Sequence, residues 1–438
     1  MLTFDRALAN PLRASVMYPP DRRLFRPFAV AARVADLLAA VGPRAGLYAH
    51  VPFCETKCTY CDYETVPLGK YAGAGVEAYV QALCTELRTT LAALPRATTI
   101  TGFDIGGGTP GAMSAEQFLR VIDTLGAARL AAGFEISTET TPTLAAADPP
   151  KWAAIRRAGV SRVSMGVQTD DEALLGRMNR AQDKSDRMRR GIDALRDAGF
   201  AIVNLDLMFA LPGLTAERFI ESVDFAIALA PDVITIYDTV YKNRGIATQA
   251  RRWDLTPSPK DYGDQYDRAF LRLNAAGYRG RYGSVNFSRV PGRLGTSRYL
   301  ESRILDGADY AGVGLYASSL AGNVWRFGKK SYGAWIEHAA RGDLAAEDVY
   351  ALPKAHVMAK YLLLALSYGY VDGARFQARF AERFSDRFAR ARSFAIDRGL
   401  LQQHGDDYTI VPGAFADLPG LRALFYPDDA LPWLEVPL

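Results

Sequence analysis

Cysteine is scarce in this chain of 438 residues: there are four, Cys54, Cys58, Cys61 and Cys84, and the first three fall within one short segment. A secreted disulfide scaffold would spread its cysteines through a shorter chain. No apolar run approaches the ~18 residues of a membrane span, so none is expected. The opening segment MLTFDRALANPLRASVMYPP lacks a continuous apolar stretch, so no secretory signal is expected and the cytoplasm is the default address. Charge of one sign is lacking too. Lysine plus arginine number 52 against 48 acids, a net +4, which makes no electrostatic demand for nucleic acid. With 49% hydrophobic and 23% charged residues, the composition excludes global disorder and collagen-like architecture. No fixed-period repeat is visible. The length suits two or three units, or one large α/β unit with an appendage.

What is present is an alternation of strand and helix patterns. Candidate strands are Leu47–Val51, Thr99–Gly106, Phe134–Glu139, Ser161–Val167, Ala201–Phe209 and Val233–Tyr237. Between them lie helical patterns at Gly75–Leu94, Ser114–Leu125, Ser185–Ala198 and Thr215–Ala230. Alternation of this kind predicts a parallel sheet with right-handed crossovers, either a partial (β/α)6 barrel or a flat doubly wound sheet. Residues 1–45 read as an N-terminal arm containing Tyr18-Pro19-Pro20, and 46–245 as the barrel. Residues 246–345 read as a barrel extension. Residues 346–438 read as a small α+β, winged-helix-like C-terminal domain, with helical segments at Ala355–Ser367 and Phe376–Arg398 and a β-wing at Tyr408–Val411.

The cysteine cluster is C-x3-C-x2-C, Cys54 to Cys61, directly after the first strand. A zinc site wants a fourth Cys or His nearby. The histidines are His50, His338, His356 and His404, and His50 alternates away from the cysteines as a packed core residue would. Three thiolates suit an iron–sulfur cube that leaves one iron open. The end of a parallel strand is where α/β folds place chemistry. Cys84 falls mid-helix, 23 residues past Cys61, and reads as a buried helix-face thiol.

With Tyr60 before the last cysteine, this motif resembles that of the radical S-adenosylmethionine (SAM) superfamily. More narrowly, the chain resembles the oxygen-independent coproporphyrinogen III oxidase-like subfamily, from about Tyr18 to the C-terminal domain. The resemblance implies a [4Fe–4S] cluster on Cys54, Cys58 and Cys61. It implies SAM bound by Gly107, Gly108 and Thr109 of the run Gly106-Gly107-Gly108-Thr109-Pro110. Strand-end positions Glu139, Gln168, Arg180 and Asp206 match the family's SAM contacts, as do Tyr48 and Tyr60. The chemistry of each type agrees: an arginine for the methionine carboxylate, acids and amides for ammonium and ribose. The subfamily holds two SAM molecules, the second implied at Tyr60, Gly108, Thr109, Gln168, Arg180 and Asp206.

Two departures bear on the reaction. The porphyrinogen decarboxylases carry a further cysteine where this chain has Tyr63. The heme-chaperone branch carries a histidine–asparagine and tyrosine–tryptophan motif where this chain has Gly322-Asn323-Val324-Trp325. The Tyr18-Pro19-Pro20 arm resembles the class C radical SAM methyltransferases, some of which form cyclopropanes. The implied reaction is transfer of methyl or methylene from a second SAM to an sp² carbon of a small molecule. The implied electron donor is one such as flavodoxin or ferredoxin, with neither nucleic acid nor membrane as partner. Tyr18, Tyr237, Asp238, Tyr241, Asn286 and Tyr316 are candidate acid/base groups, with Tyr316 taken as catalytic. The alternatives are a tetrapyrrole enzyme, with Arg22, Arg23 and Arg26 for its propionates, and a heme chaperone without turnover.

Overall fold

The computed structural model describes residues 2–9, 22–126, 128–239, 241, 245–253 and 255–435. The Tyr18-Pro19-Pro20 arm lies outside these residues. Six strands, β1 (Arg44–Val51), β2 (Thr99–Gly107), β3 (Ile136–Thr140), β4 (Val160–Gln168), β5 (Ile202–Phe209) and β6 (Val233–Asp238), pair in chain order and in parallel. The six strand segments expected from sequence all form. Their outward residues, such as Leu47, Phe103, Ile105, Val163, Leu205 and Ile236, are buried under helices, as a parallel sheet covered by crossovers requires. The helix Ala115–Asp123 starts on a reciprocal cap, the Ser114 hydroxyl accepting from the Gln117 amide and Gln117 reaching back.

The sheet continues beyond these six. β7 (Asn286–Ser288) joins β6 antiparallel. β8 (Asp309–Val313) joins β1 in parallel on the other side. β9 (Ser318–Ala321), β10 (Val324–Phe327) and β11 (Asp348–Ala351) extend that edge antiparallel, giving eleven strands. The sheet therefore runs past the expected boundary at 345/346. A separate three-stranded sheet joins β12 (Tyr370–Val371), β13 (Leu401–His404) and β14 (Asp407–Ile410), so the expected wing is a full hairpin. The helical stretch expected over 376–398 is broken: one helix ends at Phe380, and Ala381 turns left-handed at φ 54°.

Inward-facing residues are polar. Ser164 on β4 donates to Asp206 at 2.6 Å, Asn204 donates to Ser164 at 2.7 Å, and the Thr235 hydroxyl lies 2.8 Å from the Asn204 side-chain oxygen and 3.0 Å from that of Asn286. The base of this interior is plugged by the helix Arg298–Ile304. Two glycines make room for it: a Cβ on Gly46 would stand 2.5 Å from the Tyr299 ring, and one on Gly102 within 2.9 Å of the Arg298 backbone. The plug leaves the strands' C-terminal ends open.

Candidate active site

The three clustered cysteines line one cavity at those ends. Their loop is tied to backbone on two sides. On the β2 side, the Gly108 amide donates to the Val51 carbonyl at 2.8 Å and the Thr109 amide to the Phe53 carbonyl at 2.8 Å. A Cβ on Gly108 would stand 2.6 Å from the Pro52 carbonyl carbon, so this approach requires glycine. The Thr109 hydroxyl lies 3.5 Å from the Cys54 sulfur. On the β4 side, Thr56 donates to the Asn179 carbonyl at 2.9 Å, and the Asn179 amide group donates to the Lys57 carbonyl at 3.0 Å. Asn179 is left-handed at φ 61°, a conformation asparagine tolerates. His50 is buried, and loss of water pulls its imidazole down to about 4. The neutral ring donates from Nε2 to the Glu64 carbonyl at 2.8 Å, so it braces the far end of the cysteine loop.

Glu139, Gly108, Thr109, Gln168, Arg180, Asp206 and Tyr60 line the same cavity as the cysteines. Arg180 pairs with Asp183 at 2.9 Å and donates to the Gly166 carbonyl and, at 3.2 Å, to the Tyr60 hydroxyl. Its Nε is buried without a hydrogen-bond partner among the described residues. Gln168 sits at a register shift in β4 with φ 70°, strain of a kind that gathers at binding sites. A Cβ on Gly166 would stand 2.6 Å from the Gln168 amide nitrogen, so that side chain folds back over bare backbone. Glu139 accepts one bond, from the Gly107 amide at 3.2 Å. Loss of water and the nearby Asp206 push it up to about 7. Asp183 and Ser164 are site residues that the sequence did not single out; Asp183 is fully buried three residues from Arg180, and that spacing was the available signal.

The cavity opens into the barrel interior. Glu139, Tyr63 (57% exposed) and Tyr237 (42%) keep accessible surface. Yet loss of water dominates the shifts of all three, pushing Tyr63 up to about 12. Both hold for side chains lining a hollow, where water fits against them but protein surrounds them. Tyr48 is not in the cavity lining; its hydroxyl lies 3.4 Å from His50 Nδ1 and its ring stacks on Tyr299 at 5.8 Å. Gly107 contributes through its amide to Glu139.

Other sequence candidates do not converge here. Tyr316 stacks on Phe327 at 5.3 Å, with Lys330 over its ring, outside the cavity lining. Asp238 accepts from Tyr262 at 3.1 Å, Tyr241 donates to the Ala210 carbonyl at 2.7 Å, and Asn286 accepts from Thr235. These three are held by structural bonds; among the described candidates Tyr237 faces the hollow. Arg26 is exposed on the segment Arg22–Phe28. Cys84 is 6% exposed on the helix Ala74–Ala93 and does not line the cavity.

The donor set fits an iron–sulfur cube. Burial pushes the Cys61 thiol up to about 11 and raises Cys54, so both stay protonated until a cation draws the protons off. Among the described residues no three Cys, His, Asp or Glu side chains converge on a single ion. A cube asks for something else, because each thiolate takes a different iron.

Residues 48–226 match the model of the radical SAM superfamily. That family implies a [4Fe–4S] cluster and SAM as cofactors. More particularly, the chain is 32% identical to the heme chaperone HemW of Mycobacterium tuberculosis, over 54% of this chain and 60% of that protein. It is 34% identical to the oxygen-independent coproporphyrinogen III oxidase of Paracoccus denitrificans, over 51% of this chain and 48% of that one. The chain thus spans 60% or less of the length of either relative. The solved coproporphyrinogen III oxidase (HemN) of Escherichia coli superposes with a TM-score of 0.73 over 90% of this chain and 93% of that one, at 22% identity, and so shares the fold. These relatives are named for heme and porphyrinogen chemistry. They support the tetrapyrrole alternative over the methyl- or methylene-transfer reading, and the class C resemblance gains no support from them. No described helix is long and apolar enough to cross a membrane.

Proposed function

We propose that the protein is a radical SAM enzyme acting on a tetrapyrrole-class substrate, with oxidative decarboxylation as its reaction. The observation that carries this is the meeting, in one cavity, of three loop thiols with Glu139, Gln168, Arg180 and Asp206. The substrate class rests on the names of the relatives. The cluster and SAM supply one-electron, hydrogen-abstracting chemistry when bound. Cys54, Cys58 and Cys61 hold the cluster. Arg180, oriented by Asp183 and the Gly166 carbonyl, offers its free donor edge to the methionine carboxylate. Glu139 and Asp206 repel each other until an ammonium or hydroxyl donors come between them. Gly108 and Thr109 bring backbone close to the ligand, Tyr60 and Gln168 complete the shell, and Gly107 and Tyr48 stand behind it against Glu139 and His50. A second SAM shares it, and a flavodoxin- or ferredoxin-type protein supplies the electron.

The 32% identity to a heme chaperone supports a second reading, heme binding without turnover. One experiment separates the readings: anaerobic, reduced, cluster-loaded protein with SAM and coproporphyrinogen III. 5′-Deoxyadenosine with carbon dioxide is the expected outcome. 5′-Deoxyadenosine with equimolar S-adenosylhomocysteine returns the carbon-transfer reading, and heme binding with neither product points to the chaperone.

A further inference from the structure

The lining of the cysteine cavity holds two aromatic rings, Tyr60 and Tyr63. Tyr60 is already engaged, its hydroxyl accepting from Arg180 at 3.2 Å. Tyr63 is not. Among the described residues no ring packs on it and its hydroxyl makes no hydrogen bond. It is 57% exposed, and of the five large hydrophobic side chains left exposed among the described residues it alone lines the cavity. Its main chain, by contrast, is held. Lys57 donates to the Tyr63 carbonyl at 2.5 Å, and His50 donates to the next carbonyl, that of Glu64, at 2.8 Å. The Glu64 carboxylate pairs with Lys330 at 2.7 Å, and the Val66 amide donates to the Pro52 carbonyl at 2.9 Å. A ring on a fixed backbone has only its two side-chain torsions to lose, so it offers a broad contact face at little cost in order. Tyr63 also follows Cys61 by two residues, so their Cα atoms are no more than about 7.6 Å apart. The groups read above as the SAM shell sit elsewhere in the lining, with Glu139 on β3, Gln168 on β4 and Asp206 on β5. The ring on the cysteine loop is left for another occupant.

We propose that Tyr63 is the substrate platform of this cavity, one flat, unsaturated ring of the substrate resting against its face between the cysteine loop and the strand ends. This deepens the proposed function and rests on it for the place of SAM. The platform reads a single unsaturated ring, because ring faces and edges attract each other at 4.5–7 Å in a way that a saturated ring of the same size does not reproduce. It holds that ring close to the thiol loop, where the one-electron chemistry would start.

The test uses the cluster-loaded full chain with SAM bound and two small probes, 2-naphthalenemethanol and its saturated decahydro counterpart, titrated by calorimetry. The ratio of their affinities is the readout. In the wild type the ratio should favour the flat probe by about two- to twelvefold more than in Tyr63→Leu, the span that ring stacking is worth. Tyr63→Phe should keep the wild-type ratio, and SAM affinity should be unchanged in both variants. Tyr63→Met serves where the leucine variant does not take up the cluster. The same ratio in wild type and in Tyr63→Leu overturns the platform, as does failure of the wild type to bind either probe. Loss of SAM affinity in Tyr63→Leu overturns it too, by placing the ring in the SAM shell. A Tyr63-dependent ratio with no binding of coproporphyrin III supports the platform and removes the tetrapyrrole reading. Coproporphyrin III binding with a ratio indifferent to Tyr63 does the reverse, so the two can fail separately.

Discussion

Glu86 and Glu139 are built alike and finished differently. Each accepts a backbone amide from a glycine turn at a strand end, Gly314 (φ 101°) at 2.8 Å for Glu86 and Gly107 (φ 113°) at 3.2 Å for Glu139. Each is pushed up by loss of water. Glu86, 3% exposed, is completed from within: the Trp335 indole donates to it at 3.0 Å and the Arg326 guanidinium draws it down. Glu139 has a single bond, accessible surface on a hollow, and Asp206, a charge of its own sign, for company. A saturated carboxylate ties a helix to a sheet. An unsaturated one stands ready for a ligand.

The sharpest break between the two regions falls at the thiols. Replacing Cys54, Cys58 or Cys61 by alanine should abolish the brown ~400 nm absorbance of the cluster-loaded protein, with thermal stability of the metal-free chain little changed. Cys84→Ala should keep the colour. Iron retained in full by Cys58→Ala sinks the ligand assignment.

The second contrast sets Glu86→Ala against Arg180→Ala. Losing Glu86 strands the Gly314 amide and the Trp335 indole, so unfolding free energy should fall by about 3 kcal/mol. SAM affinity of the folded fraction should not change. Losing Arg180 should weaken SAM by about 1.5–3 kcal/mol, the range for a charge-assisted bond. That is roughly ten- to 150-fold, read by equilibrium dialysis on folded protein. If Glu86→Ala also lost SAM affinity, the two regions would be one.

The sequence made one of these regions legible and not the other. Three thiols in a single loop have local spacing, and strands buried on their outer face are apolar runs, so the cysteine motif and all six parallel strands could be read. Glu86 could not, because its partners Gly314 and Trp335 lie over 200 residues away on other elements. The helix Arg298–Ile304 was hidden for the same reason: its place depends on Gly46 and Gly102, far away in sequence, admitting it into the barrel. The polar candidates Asp238, Tyr241 and Asn286 misled because a strand-end position says nothing of the partner that holds the side chain.

The smallest effect is a pH dependence that Glu139 should show. Glu139 sits at about 7 in the folded chain against about 4.5 in an unfolded one, so between these values the native state holds the extra proton. Its contribution to stability is therefore fully present below about pH 4.5 and is lost as pH rises through 7. Glu139→Gln, which cannot ionise, should flatten that part of the stability curve of the ligand-free protein and raise its melting temperature at pH 8. Ligand binding should run the other way. An ammonium against Glu139 favours the ionised acid, so SAM should bind more tightly as pH rises from 6 to 8 and release a proton where the wild-type acid is still protonated. In Glu139→Gln both the slope and the proton release should vanish, as calorimetry in buffers of different ionisation enthalpy would show. A variant that loses affinity but keeps the wild-type slope would assign the proton to another group, and Asp206, raised by the same loss of water, is the next to test.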